Sequence, residues 1–176
     1  MRATWIFALA FAFGVAGIFA GHALRDSTQS AKGSPGQAQL PVPKTALQAG
    51  TPFPAVDLID EGGQRRLSSE LFASEGGVVL FLELECPPCV ESAQRWQRLV
   101  TEGRVPASQV CGITMQSPAQ IAAFRSELGL DFEILQDDGR RFFDEYRVTH
   151  FPMEVVVDGG GIIRDIGRDF SARAVP

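Results

Sequence analysis

Cysteine is scarce in this sequence: Cys86, Cys89 and Cys111 are the only three in 176 residues. One close pair and one remote thiol cannot build a disulfide-stapled scaffold. They also fall short of a structural zinc site, which usually draws four ligands from two such pairs. Histidine adds little, since the chain has only His22 and His150. Basic charge is in deficit as well, with 16 Lys and Arg against 21 Asp and Glu and a net charge of −5. No basic face for nucleic acid follows from that balance, so nucleic acid is excluded as a partner. Internal repeats and a glycine-rich phosphate loop are both lacking.

Apolar residues make up 45% of the chain, enough for one domain with a real core. One long uncharged run, TWIFALAFAFGVAGIFAG over residues 4–21, follows Arg2. Its length is at the lower edge of the ~17–25 residues that cross a bilayer as a helix. The run also suits the core of a signal peptide, with Gly21-x-Ala23 as a small-residue cleavage site. Residues 1–24 are therefore expected to be a signal peptide or membrane anchor, with the positive N-side directing the rest outward. Residues 25–49 are rich in Ser, Gln, Pro and Gly, without hydrophobic period, and read as a mobile tether.

The domain is expected over residues 50–176. TPFPAVDLIDEGGQRRLSSELF suggests a hairpin turning at Glu61-Gly62-Gly63, then a short helical turn capped by Ser68 or Ser69. GGVVLFLELE reads as a continuous central strand covered on both faces. From about Pro87 to Val100, Val90, Ala93, Trp96 and Leu99 recur at helical spacing. SPAQIAAFRSELG carries Ser117 as N-cap, Pro118 in the first turn and Gly129 as the stop. Short strands at VCGITM and FEIL, a short helix through Phe142, Phe143 and Tyr146, and two strands around a glycine turn in MEVVVDGGGIIRDIG complete it. This order predicts an α/β sandwich around one mixed sheet.

The motif FLELECPPCVES sets Cys86 and Cys89 two residues apart at a predicted strand-to-helix junction. Such a pair can bind metal, hold a static disulfide or shuttle electrons. Unpaired N–H groups and the helix dipole favour an anion at a helix start, which lowers a thiol pKa there. Cys89 lies one turn on, so a small disulfide ring can close. Cys86 would attack a partner's disulfide and Cys89 would resolve the mixed disulfide. Pro87 and Pro88 suit the first turn, which needs no N–H partners.

With GTPFPAVDLIDEGG, VVLFLELECPPC and YRVTHFPMEVVVDGGGIIRDIG in place, the chain from about Gly50 to Gly167 resembles thioredoxin-like proteins of the TlpA/ResA type. These are exported, often membrane-tethered disulfide reductases. The resemblance implies a thioredoxin-like three-layer sandwich: a mixed central sheet with helices on both faces, an N-terminal β-hairpin extension and a truncated C-terminal helix. It also implies that Pro152 is cis and faces the cysteines, docking substrate together with Phe151. The implied cofactor is none beyond a redox-active Cys86–Cys89 disulfide. Implied partners are a protein disulfide or dithiol client, such as an apocytochrome c or another maturing metalloprotein, and a membrane electron donor. Three features depart from the family pattern. Glu85 replaces the usual aromatic before the first cysteine, Phe151 is bulkier than the usual residue before the proline, and RDFSARAVP is too short for a covering helix.

Strand alternation would put Glu83 and Glu85 on one side, opposite Leu82 and Leu84. A carboxylate beside Cys86 disfavours its thiolate. Strong oxidants of this superfamily work because the thiolate is stabilised, so the glutamates favour a more reducing couple. Glu83 could also accept a proton when Cys89 attacks. The alternative is a copper metallochaperone in which Cys86, Cys89 and His150 hold the metal. A peroxidase lacks here the threonine and arginine surroundings expected of that family. Cys111, inside an apolar strand, reads as a buried inert thiol, and Trp96 and Phe124 as core.

Overall fold

The computed structural model describes residues 45–72 and 75–172. The segment 1–24 and most of 25–49 lie outside the described residues. Among the described residues no helix is long and apolar enough to cross a membrane.

Seven strands form one mixed sheet: β1 (Asp57–Ile59), β2 (Arg65–Leu67), β3 (Gly77–Phe81), β4 (Val110–Thr114), β5 (Glu133–Gln136), β6 (Met153–Val157) and β7 (Ile163–Gly167), in the order β2-β1-β5-β4-β3-β6-β7. β3, β4 and β5 run parallel, while β6 is antiparallel to β3 and β7 to β6. The expected N-terminal hairpin is β1–β2, turning through Asp60–Gly63.

Helix α1 (Pro87–Thr101) buries Cys89, Ser92, Ala93, Trp96 and Leu99 along one stripe. Helix α2 (Pro118–Leu128) starts and stops where its residues require. Ser117 forms a capping box with Gln120, and Gly129 ends the helix in the left-handed region at φ 61° that favours glycine. Both helices cover the same sheet face, where Trp96, Ile121, Phe124 and Phe132 meet Leu80 and Leu82. The opposite face holds Phe53, Leu58, Phe81, Phe142 and Met153, closed by the stretch from Leu47 to Val56 and the short helix α3 (Arg141–Asp144). Helices therefore lie on both faces, as the thioredoxin-like sandwich requires. The last described element is a 3-10 turn, Phe170–Ala172.

Two local expectations are corrected. Ser68 does not cap the turn after β2. Its buried hydroxyl donates to the Pro54 carbonyl and accepts the Val56 N–H at 2.8 Å, pinning the entering chain instead. The strand expected across GGVVLFLELE stops at Phe81. The apolar run continues because Leu82 and Leu84 still enter the core, although the backbone has left the sheet.

Candidate active site

The early end of β3 decides how the cysteines are presented. Leu82 keeps one sheet bond, its N–H to the Ile113 carbonyl at 2.9 Å, and the chain then turns through Leu84 and Glu85. The turn closes with the Cys86 N–H on the Glu83 carbonyl at 3.1 Å. Glu83 and Glu85 are exposed and alternate with the buried Leu82 and Leu84, as expected, but outside the strand. Cys86 thus does not end the strand. It is the N-cap of α1, with extended φ/ψ of −86° and 115°, and its carbonyl accepts the N–H groups of Cys89 and Val90. Pro87 and Pro88 fill the first helical positions, where no N–H is required.

Both cysteines of the motif are free thiols, and their surroundings differ. Cys86 is half-buried, whereas Cys89 has no exposed surface. The Glu83 N–H donates to the Cys89 sulfur at 3.5 Å. Burial pushes the Cys89 thiol up to about 12. The Glu83 N–H opposes that shift, while hydrogen bonding to Cys86, the charge of Cys86 and the Glu83 carboxylate add to it. The turn therefore presents one accessible sulfur with a protonated, enclosed thiol touching it.

Phe151–Pro152 is a cis peptide, as the family resemblance implies. Pro152 is buried immediately before β6, whose first residue Met153 pairs with Phe81 at the end of β3. This register puts the proline at the same sheet end as the cysteine turn. Phe151 is half-buried and packs, as Cys86 does, against the core cluster that contains Cys89. It also meets the Phe143 ring, with centroids 5.6 Å apart.

His150 is not gathered with the cysteines. It is exposed, and its Nδ1 lies 3.0 Å from the Thr149 hydroxyl. Among the described residues no group of three or more His, Cys, Asp or Glu side chains is placed to hold a metal. The donor set Cys86, Cys89, His150 is therefore not assembled here. Cys111 is enclosed in β4, and burial, aided by the Glu133 carboxylate, holds its thiol well above the ordinary range.

One pair was not singled out by sequence reasoning: Ser92 and Glu154, each with no exposed surface. The Ser92 hydroxyl donates to Glu154 Oε1 at 2.8 Å, and the Phe170 N–H donates to Oε2 at 2.6 Å. A glutamate inside the apolar run MEVVV is the one signal that could have found it.

The AhpC/TSA family profile matches residues 49–166. The chain belongs to the AhpC/TSA family. As a member of this redoxin family it is a thiol redox protein. No curated protein matches the sequence. Among solved structures, the AhpC/TSA-family domain is similar to peroxidoxin BcpB from Mycobacterium tuberculosis, at 19% identity and TM-score 0.60, over 72% of this chain and 92% of that one. It is similar to a thiol:disulfide interchange protein of the thioredoxin family from Chlorobium tepidum, at 18% identity and TM-score 0.54, over 69% and 87%. A third similar structure is a secreted M. tuberculosis disulfide oxidoreductase homologous to E. coli DsbE, at 19% identity and TM-score 0.54, over 65% and 84%. At these identities the likeness establishes the thioredoxin-like fold.

Proposed function

We propose that this protein is an extracytoplasmic thiol–disulfide oxidoreductase that reduces disulfides in a client protein. The observation that carries this reading is the asymmetric thiol pair, with Cys86 reachable at a helix N-cap and Cys89 enclosed against it. The Cys86 thiolate attacks one sulfur of the client disulfide and expels the other as a thiolate, leaving a mixed disulfide. Cys89 then loses its proton and attacks the Cys86 sulfur. The client leaves with both sulfurs reduced, and the two electrons are replaced here by a Cys86–Cys89 bond. Glu83 is the proton acceptor for Cys89, because its carboxylate is close enough to bias that thiol. Phe151 and Pro152 dock the client strand beside Cys86.

The Glu83 carboxylate disfavours the Cys89 thiolate, and Glu85 adds a second negative charge next to the motif, so together they favour a reducing couple. A shift of about 30 mV corresponds to about 1.4 kcal/mol for two electrons. One partly screened charge therefore moves the potential by tens of millivolts, on the order of that constant. Export through residues 1–24, a tether over 25–49 and a catalytic domain over 50–176 complete the proposal. The similar secreted oxidoreductase supports the location. The disulfide formed in each cycle is re-reduced by a membrane electron donor, since exported space is oxidising. A maturing apocytochrome c or other metalloprotein is the client class that the family resemblance favours.

Insulin reduction coupled to a thiol donor tests the activity, and equilibration with glutathione tests the direction. Glu85→Gln is expected to make the couple more oxidising. An unchanged or more reducing potential would defeat the electrostatic part of the reading.

Family membership and the likeness to peroxidoxin BcpB favour a second reading, peroxide reduction. Cys86 would attack the peroxide oxygen to give a sulfenic acid and an alcohol or water, and Cys89 would then displace water to form the disulfide. Peroxide consumption far faster than insulin reduction would favour it.

A further inference from the structure

Resting on the reductase reading, we propose that the buried Ser92–Glu154 hydrogen bond pins the cysteine helix in register with the proline loop, making Ser92 and Glu154 positioning residues of the redox site.

The two halves of that site sit on different elements. Cys86 and Cys89 open α1, and Ser92 follows Cys89 by three residues on the same buried stripe. Pro152 precedes β6, and Glu154 follows it by two residues, directly opposite Leu80 of β3. The interface between helix and sheet is otherwise apolar, built from Leu80, Leu82, Ala93 and Trp96. Apolar contacts are non-directional and fix a helix along its axis less sharply than a buried hydrogen bond does. Among the described residues, Ser92 Oγ to Glu154 Oε1 at 2.8 Å is the one hydrogen bond joining α1 to β6. Both partners are fully enclosed, where a hydrogen bond is strong and a missing partner is costly.

The second carboxylate oxygen strengthens the assignment. Oε2 takes the Phe170 N–H at 2.6 Å, which ties the C-terminal turn to the same group. The Phe170 ring lies so close over Gly167 that a Cβ there would sit 2.9 Å from it, and Gly167 is the cross-strand partner of Glu154. Among the described residues the carboxylate forms no ion pair. A buried carboxylate held by two neutral donors is an expensive way to fasten a helix that apolar packing already covers. Fixing the sulfurs against the docking proline is a reason to keep it.

The test compares two disulfides turned over by the full chain with a thiol donor: hydroxyethyl disulfide, which needs the two motif sulfurs but is too small to reach the docking residues, and a cysteine-bridged peptide long enough to reach Phe151 and Pro152. Ser92→Ala should lower the ratio of kcat/KM for the peptide to that for the small disulfide by about tenfold or more, since a displacement near 1 Å can cost on the order of a hundredfold. Ser92→Thr, which keeps the hydroxyl, should restore most of that ratio. Glu154→Gln, which keeps one acceptor oxygen of the two, should give an intermediate ratio. If Ser92→Ala instead lowers the melting temperature while the ratio stays fixed, the bond is only structural and the proposal fails. Should the parent protein reduce neither disulfide, the reductase reading itself fails, a separate outcome.

Discussion

Iodoacetamide at neutral pH should distinguish the two motif thiols, because Cys86 is half-buried and Cys89 has no exposed surface and keeps its proton up to about 12. Mass spectrometry of the reduced protein should find a single adduct on Cys86, with Cys89 labelled only after unfolding. Adducts on both thiols under native conditions would contradict the asymmetry. Glu83 offers a sharper case, because its two roles predict opposite signs. As a charge it helps hold the Cys89 proton in place, so Glu83→Gln would speed resolution of a mixed disulfide. As the proton acceptor its loss should slow resolution, on the order of a hundredfold. The proposal expects slowing, with attack by Cys86 little changed, measured by stopped-flow of both steps.

At the level of elements, α3 depends on one side chain. Asp137 is buried after β5, and its oxygens accept the N–H groups of Arg141 at 3.0 Å and Phe142 at 2.8 Å. This fastens the turn that puts Phe142 in the core and Phe143 behind Phe151. Asp137→Ala should cost about 1–3 kcal/mol in urea unfolding, the range for stranding buried donors. Burial, ahead of the opposing N–H bonds, raises the Asp137 carboxyl above 3.8. Between 3.8 and its folded value the native state holds the extra proton, so this group's contribution to stability falls as pH rises through that window. Asp137→Asn should abolish that slope.

Elements also show what could be read from residues. Ser117, Pro118 and Gly129 bound α2 because caps act locally, and the apolar stripe of α1 follows from period alone. The end of β3 was not legible, because Leu82 and Leu84 are as buried in the turn as in a strand and hydropathy cannot separate the two. Ser68 looked like a cap because its type suits one, while its true partners, Pro54 and Val56, come from a chain segment twelve or more residues away. Glu154 was equally hidden, since its meaning depends on Ser92, sixty-two residues earlier. The Cys86–Cys89 pair was legible because its chemistry is local, but His150 was not, because only the fold shows it apart.

For the whole molecule, redox state and alkaline stability should be linked. Burial raises Cys89 from 9.0 to about 12 and lifts Cys111 as well. Above 9 the unfolded thiols release protons that the folded ones keep. Stability from both groups is therefore complete below pH 9 and lost as pH rises through their folded values, about 12 for Cys89. Oxidation to the Cys86–Cys89 disulfide removes the Cys89 share. Urea midpoints at pH 7 and pH 10 should fall more for the reduced protein than for the oxidised one, and an equal fall would count against the buried thiol.

The division of labour between the two sulfurs is tested most directly by trapping. Cys89→Ser, mixed with a disulfide-bonded peptide and quenched in acid, should hold one peptide covalently on Cys86, released by a reductant, while Cys86→Ser should hold none. A peptide held on Cys89 in Cys86→Ser, or no adduct in either variant, would contradict the account.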